Sequence, residues 1–300
     1  MIDIVSVSKN FNDIKAVDQV SITIQEGNVF GLVGTNGAGK STLLRMLSGI
    51  IKPDKGSINI DGLDIFENVK AKELFFYISD DQFYFNNATA IDMKRFYQVV
   101  YSAFDGERFD SLMDLFELTP NRKINTFSKG MKKQLSVICG ICANTKYIFC
   151  DETFDGLDPV MRQAVKSIIA KEIADRNITT IIASHNLREL EDICDYVGIL
   201  HRGGILFSKD LYDMKLNIHK IQCVFKNEDD AKAMLDNLDI LKQDQRGSLY
   251  TITARGNREE IAHNFDKVKP VFSEILPLTL EEIFISETEV VGYDIKKLIS

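Results

Sequence analysis

The segment Gly34-Thr35-Asn36-Gly37-Ala38-Gly39-Lys40-Ser41-Thr42 has the residue types and spacing of a phosphate cradle. Three glycines let successive backbone N–H groups turn inward with no Cβ in the way. A helix starting near Lys40 points the positive end of its dipole at an anion. Lys40 then reaches the terminal phosphates of a nucleotide, and the Ser41 hydroxyl is a ligand for Mg²⁺. Further on, Ile148-Phe149-Cys150-Asp151-Glu152 brings two carboxylates to the end of an apolar run. Asp151 is placed to hold Mg²⁺ through its water shell, and Glu152 to orient and polarise a water for attack on a γ-phosphate. A third group, Ser128-Lys129-Gly130-Met131-Lys132-Lys133-Gln134, opens a helix. Ser128 is its cap, and Gly130 leaves backbone N–H groups open to an anion.

These groups need a frame to hold them. The cradle follows the apolar run Val29-Phe30-Gly31-Leu32-Val33 and precedes the amphipathic Leu43-Leu44-Arg45-Met46-Leu47, so it reads as strand, glycine loop, helix. Residues 1–30 alternate as short strands, and Ser57–Gly62 as another after the Pro53–Gly56 turn. Residues from about 88 to 145 are helical in pattern, with Phe96, Val99, Val100, Phe104, Leu112, Leu115 and Phe116 as their apolar positions. The runs Tyr147–Cys150, Thr179–Ala183 and Val197–Leu200 suit a parallel sheet buried on both faces. Between the first two, Asp158 and Pro159 start a helix whose buried side is expected to be Met161, Val165, Ile168, Ile169 and Ile173. After about residue 210 the pattern changes. Strand, helix, a strand pair around Gly247, helix, strand and helix predict a small α+β domain.

Composition narrows the function. At 300 residues the chain is long for one domain. A net charge of −8 argues against nucleic acid as a partner. No apolar run reaches the ~18 residues of a membrane span, and Met1-Ile2-Asp3-Ile4 carries no secretory signal, so the chain is expected to stay in the cytosol. Cys139 and Cys142 form a CxxC inside an apolar helical run. Without a second ligand pair they read, like Cys150, Cys194 and Cys223, as small buried hydrophobes.

Taken in order, the motifs resemble the ATP-binding subunit of an ABC transporter, over residues 1 to about 208. Gly34–Thr42 resembles that family's Walker A. Ser128-Lys129-Gly130 with Lys132-Lys133-Gln134 resembles its signature, in the variant of ABC-2-type exporters. Cys150-Asp151-Glu152 resembles Walker B with its catalytic glutamate, Gly156-Leu157-Asp158-Pro159 the D-loop, and Ser184-His185 the switch histidine. Phe11 occupies the place of the aromatic that stacks on adenine. The signature departs from the fullest pattern at Lys129 and Met131. In the segment before Thr89, Asp80 falls at the family's Q-loop glutamine, with Gln82 two places late, and either is a candidate for the metal.

The resemblance implies an α/β P-loop NTPase with a RecA-like core, an antiparallel β subdomain and a helical subdomain at about 88–145. It makes 1–212 the ABC ATP-binding domain and leaves 213–300 as a C-terminal accessory α+β domain. It assigns catalysis to Glu152 and His185, ATP contacts to Phe11, Asn36, Gly37, Gly39, Lys40, Ser41, Thr42, Ser128, Gly130 and Asp158, and Mg²⁺ to Ser41, Asp151 and Asp80 or Gln82. It also implies a second ATP-binding subunit, identical or paralogous, paired head to tail around two MgATP. An integral membrane permease subunit would hold the pair at the cytoplasmic face of the membrane. The single cassette, the Ser-Lys-Gly signature, Ser79-Asp80-Asp81 and the ending Leu278–Phe284 look most like exporters of drugs and amphipathic peptides, of the bacitracin and phenol-soluble-modulin types. The alternatives are an ABC importer and a soluble ABC ATPase without a transport role. The soluble repair type interrupts its motifs with a long coiled coil, and no heptads separate Thr42 from Ser128.

Overall fold

The computed structural model describes residues 1–276 and 278–290. Residue 277 and the last ten residues of the expected accessory block lie outside the described residues. The chain separates into two compact units, with the break between Ser208 and Lys209, four residues before the expected boundary after residue 212.

In the first unit the strands are β1 (Ile2–Phe11), β2 (Ile14–Ile24), β3 (Val29–Val33), β4 (Lys55–Ile60), β5 (Leu63–Asp64), β6 (Phe75–Ile78), β7 (Tyr147–Asp151), β8 (Thr179–Ser184), β9 (Tyr196–His201) and β10 (Gly204–Asp210). Its helices are α1 (Lys40–Leu47), α2 (Val69–Lys72), α3 (Ala90–Val100), α4 (Gly106–Leu115), α5 (Lys129–Cys142), α6 (Pro159–Arg176) and α7 (Leu187–Leu190). Residues 1–24 form one long antiparallel hairpin, β1 on β2, rather than several short strands; β1 also pairs with β4 in a sheet of order β2-β1-β4-β5. Their inward positions (Ile2, Ile4, Val7, Val17, Val20, Ile22, Ile24, Ile58, Ile60) join the core around α1.

The second sheet has the order β10-β9-β3-β8-β7-β6, and β9, β3, β8, β7 and β6 run parallel. Every residue of β3, β7 and β8 is buried, as expected of strands covered on both faces. Register then does the positioning. Val33 sits opposite Ser184, and Asp151 opposite Ala183. The loop after β3, the acids at the end of β7 and the histidine after β8 therefore leave neighbouring strands at the same carboxyl edge, where open α/β sheets bind ligands.

The apolar pattern marks the helices but not their buried faces. Phe96, Val99, Val100 and Leu115 are exposed, Val99 at 87%; α3 and α4 bury Met93, Phe109 and Met113 together with Leu112 of the pattern. On α6, Val165 and Ile169 are buried, but Met161, Ile168 and Ile173 only partly; the remaining buried positions are Lys166 and Glu172. Periodicity counts apolar residues, so it misses charged ones that are buried with partners. Asp158 caps α6 with Pro159 in its first turn, as the start signal predicts. All five cysteines are buried and unpaired, and burial pushes the Cys142 and Cys150 thiols up to about 12.

The second unit comprises α8 (Leu211–Asn217), β11 (Ile218–Val224), α9 (Glu228–Leu235), β12 (Asp239–Arg246), β13 (Leu249–Arg255), α10 (Arg258–Val268), β14 (Phe272–Leu276) and α11 (Leu280–Val290). Its antiparallel sheet has the order β12-β13-β11-β14. Ile221, Cys223, Ile252 and Ala254 of the sheet pack on Ala231, Met234, Ile261 and Phe265 of α9 and α10. The order of elements follows the alternation in the sequence; α8 is the one not foreseen.

Candidate functional site

The loop after β3 is built around glycines that have no substitute. Gly39 has φ +105°, and a Cβ there would lie 2.1 Å from the Ala16 carbonyl oxygen of the β1–β2 hairpin. Gly37, at φ +80°, has open space where its Cβ would be, so its need is for backbone conformation alone. Gly39→Ala must move the hairpin or the loop. The expected result is loss of nucleotide affinity by roughly tenfold or more, with the second unit's fold intact, measured by calorimetric titration with MgATP.

Lys40 opens α1 and is buried. Its ammonium donates to the Gly34 carbonyl at 2.7 Å and the Thr35 carbonyl at 3.3 Å, and lies 3.3 Å from Glu152 Oε1. The loop is thus folded back around a cation, with Asn36 and Gly37 at its exposed crest. Ser41 Oγ donates to Asp151 Oδ1 at 2.9 Å, and Tyr77 OH donates to Asp151 Oδ2 at 3.1 Å. Burial raises the Asp151 carboxyl above the ordinary range. The bonds from Ser41 and Tyr77 pull it back, and the charges of Glu152 and Asp80 raise it further. A nearby cation would relieve that excess of negative charge. Burial and Asp151 push the Tyr77 hydroxyl up to about 12, which keeps it protonated as a donor. The hydroxyl and carboxylate oxygens of Ser41 and Asp151 fit Mg²⁺, which takes one or two protein ligands and completes its shell with phosphate and water. Among the described residues no three His, Cys, Asp or Glu side chains are grouped to hold a metal by themselves.

Glu152 is the hub. Its φ of +46° is the left-handed region, which a non-glycine residue occupies at a cost of about 1 kcal/mol or more. Four contacts hold it there. Its N–H donates to the Ala183 carbonyl at 3.0 Å, its carbonyl accepts from Lys133 Nζ, Oε1 faces Lys40, and Oε2 lies 2.9 Å from His185 Nδ1. A proton on Nδ1 makes that contact a hydrogen bond and leaves Nε2 as a free polar atom aimed elsewhere.

The remaining candidates lie farther out. Phe11 is exposed at the tip of β1, with Lys9 Nζ 5.7 Å from its ring centre. Thr42 is half-buried in the first turn of α1. Ser128 caps α5, accepting from Met131 N at 3.1 Å. A Cβ on Gly130 would come within 3.3 Å of the Gly156 carbonyl, so the head of α5 lies against the loop leading to Asp158. Asp158 Oδ1 accepts from Val160 N and Met161 N, both at 3.0 Å. Asp80 Oδ1 is 3.1 Å from Lys133 Nζ, and the Gln82 amide donates back to the carbonyls of Ser79 and Asp80 at 2.9 and 3.0 Å.

The structure therefore brings Lys40, Ser41, Asp151, Glu152 and His185 together and leaves Ser128, Gly130, Phe11 and Asp158 outside their direct contacts. Two participants receive no role from the sequence: Tyr77, and Lys133, which is quoted there only as part of the signature. For Tyr77 a signal existed, because a lone tyrosine among phenylalanines in a buried strand needs a partner for its hydroxyl.

Comparison with known proteins gives the family. Residues 17–155 match the family model described as ABC transporter. The chain is 32% identical to the ABC transporter ATP-binding protein YtrB of Bacillus subtilis (strain 168) over 287 residues, covering 96% of this chain and 98% of that protein. It is 32% identical to the bacitracin transport ATP-binding protein BcrA of Bacillus licheniformis over 204 residues, 67% of this chain and 66% of that one. It is 27% identical to the methionine import ATP-binding protein MetN of Clostridium acetobutylicum over 271 residues, 85% and 84% of the two chains. Among solved structures, an ATP-binding subunit of an ABC transporter superposes with a TM-score of 0.67 at 25% identity, covering 72% of this chain and 92% of that one. The chain belongs to the ABC transporter family, as its ATP-binding ATPase subunit.

Proposed function

We propose that this ATPase powers export of a drug or amphipathic peptide through a separate membrane subunit. The observation that carries the hydrolytic part is Glu152 held between Lys40 and His185. In this reading the backbone from Gly37 to Thr42 and the Lys40 ammonium hold the β- and γ-phosphates, Asn36 borders them, and Phe11 stacks on the adenine. Ser41 and Asp151 would hold Mg²⁺, which when bound would supply positive charge to the phosphate oxygens. Glu152 takes a proton from the attacking water, and His185, through Nε2, contacts the γ-phosphate. Asp80 rather than Gln82 would add negative charge for the metal, since its charge bears on Asp151 while the Gln82 amide is turned into its own loop.

Ser128, Gly130 and Asp158 stand outside the direct contacts of Lys40, which fits their service to a second subunit's nucleotide, head to tail. The exposed aromatics fit a membrane partner. Phe83, Phe85 and Phe96 stack edge to face at 5.9 and 5.1 Å, with Val99 and Val100 nearby in sequence on α3, a contiguous apolar patch of the kind that marks an interface. No described helix is long and apolar enough to cross a membrane, so the passage itself falls to that partner. The subunit is then peripheral, at the cytoplasmic face.

Export rests on the likeness to the bacitracin transport protein and on the signature variant; import is favoured by the likeness to MetN. The test is purification from detergent-solubilised membranes, followed by ATPase assays of the complex in vesicles. A co-purifying polytopic protein and stimulation by amphipathic peptides are expected. Stimulation by methionine, with none by peptides, would replace export by import.

A further inference from the structure

Lys133 is a buried charged side chain that the hydrolysis mechanism does not use and that touches the site. It is completely buried, in the second turn of α5. Taking an ammonium out of water costs several kcal/mol unless strong acceptors meet it. Two acceptors do. One is the backbone carbonyl of Glu152, the residue held in the left-handed region; the other is the Asp80 carboxylate, 3.1 Å away. Asp80 itself stands where the family resemblance places a glutamine, and its side chain is 47% exposed. The acid at that position and the buried lysine explain each other: one neutralises the other.

The segment around Asp80 is tied to the same helix. Gln82 ties Ser79 and Asp80 into one turn, and the Tyr84 hydroxyl donates to the Lys132 carbonyl at 2.7 Å, a second bond to the same helix. Phe83 and Phe85 of this segment form the exposed apolar patch. One ammonium therefore joins a surface segment to the main chain of Glu152.

We propose that Lys133 is a positioning residue for ATP hydrolysis, a clamp through which the 79–85 segment sets the backbone of Glu152 and so the aim of its carboxylate. The proposal rests on the assignment of Glu152 as the base. When the segment shifts, Asp80 draws Lys133 with it, and the Glu152 carbonyl loses the contact that helps to hold φ positive. Glu152 then relaxes away from Lys40 and His185.

The full-length protein with MgATP tests this. Lys133→Met is expected to lower kcat about tenfold or more while KM for MgATP changes by less than about threefold, because positioning of the base, not nucleotide binding, is lost. Asp80→Asn, at a half-exposed site that folding tolerates, should lower kcat in the same direction. The double variant should be no slower than Lys133→Met alone, within about twofold. Lys133→Gln, which can still donate to the Glu152 carbonyl, should recover part of the rate, and it replaces Lys133→Met in the cycle if that variant does not fold. A Lys133 variant that melts lower but turns over at the wild-type kcat would overturn the proposal, as would effects of Lys133 and Asp80 that simply multiply. Glu152→Gln in the same assay separates the two levels. If it is inactive while the Lys133 variants are normal, the clamp alone is wrong; if it hydrolyses at the wild-type rate, the assignment of Glu152 falls and the clamp with it.

Discussion

Replacing Glu152 by glutamine is expected to lower steady-state ATP hydrolysis about a thousandfold while MgATP still binds, an effect of roughly 4 kcal/mol on the barrier. Glutamine keeps the length and shape of the side chain, so its amide oxygen can still accept from Lys40, the contact now at 3.3 Å. It cannot take a proton from water. Its NH₂ group also meets His185 Nδ1 as a donor, so the imidazole has to carry its proton on Nε2 to accept there. In the proposed mechanism one substitution thus removes the base and reverses the hydrogen-bond polarity at His185. Nucleotide affinity should change little, because Lys40, Ser41 and the loop backbone are untouched. Pre-steady-state phosphate release on the full chain, together with equilibrium binding of a fluorescent ATP analogue, measures the two quantities separately. A hydrolysis rate within about threefold of the wild type, below what loss of a general base removes, would exclude Glu152 as that base.

The most legible parts of the site in the sequence were those set by local chemistry. Gly39 and Lys40 are readable because the loop's conformation admits few other residues, and Asp151 because a buried strand has no other use for a carboxylate at its end. Parallel pairing then aligned β3, β8 and β7, so three motifs far apart in the chain leave one edge of one sheet. What local pattern does not encode is the partner of a side chain. Tyr77 and Asp151 are 74 residues apart, and Lys133 and Asp80 are 53 apart. Neither pairing leaves a trace in hydrophobic periodicity. The same limit shows on α3 and α6. Phe96 and Val99 carry the helical pattern because they are apolar, yet both are exposed, since periodicity marks a helix without saying which of its apolar residues are covered. Glu172 was passed over because it is charged, although it is buried.

Glu172 carries the largest stability effect expected outside the nucleotide site. It lies in the last turns of α6 with 1% of its side chain exposed, and two arginines meet it. Arg108 of α4 pairs with it in a bidentate fork, Nη1 to Oε2 at 3.2 Å and Nη2 to Oε1, and Arg176 Nε donates to Oε2 at 2.6 Å. Arg176 also donates to Asn144, just after α5, so one carboxylate gathers α4, α6 and the end of α5. Truncation by Glu172→Ala leaves two partly buried guanidinium groups facing each other without a counter-charge. Breaking a buried pair in this way costs about 3–5 kcal/mol. For a unit of this size that is a fall in Tm of about 6 °C at the least, and of 10 °C or more toward the upper end. Glu172→Gln keeps the shape and the acceptor oxygen but not the charge, and should fall between. The control is the triple variant Arg108→Met, Glu172→Leu and Arg176→Met, which removes all three charges and fills their space with apolar groups; it should recover much of the loss, since the penalty comes from uncompensated charge rather than from missing attraction. Calorimetric scans at fixed scan rate read all three. A Tm for Glu172→Ala within about 2 °C of the wild type, under 1 kcal/mol for a unit of this size, would show that water reaches the guanidinium groups and that the triad stabilises no more than an exposed surface pair.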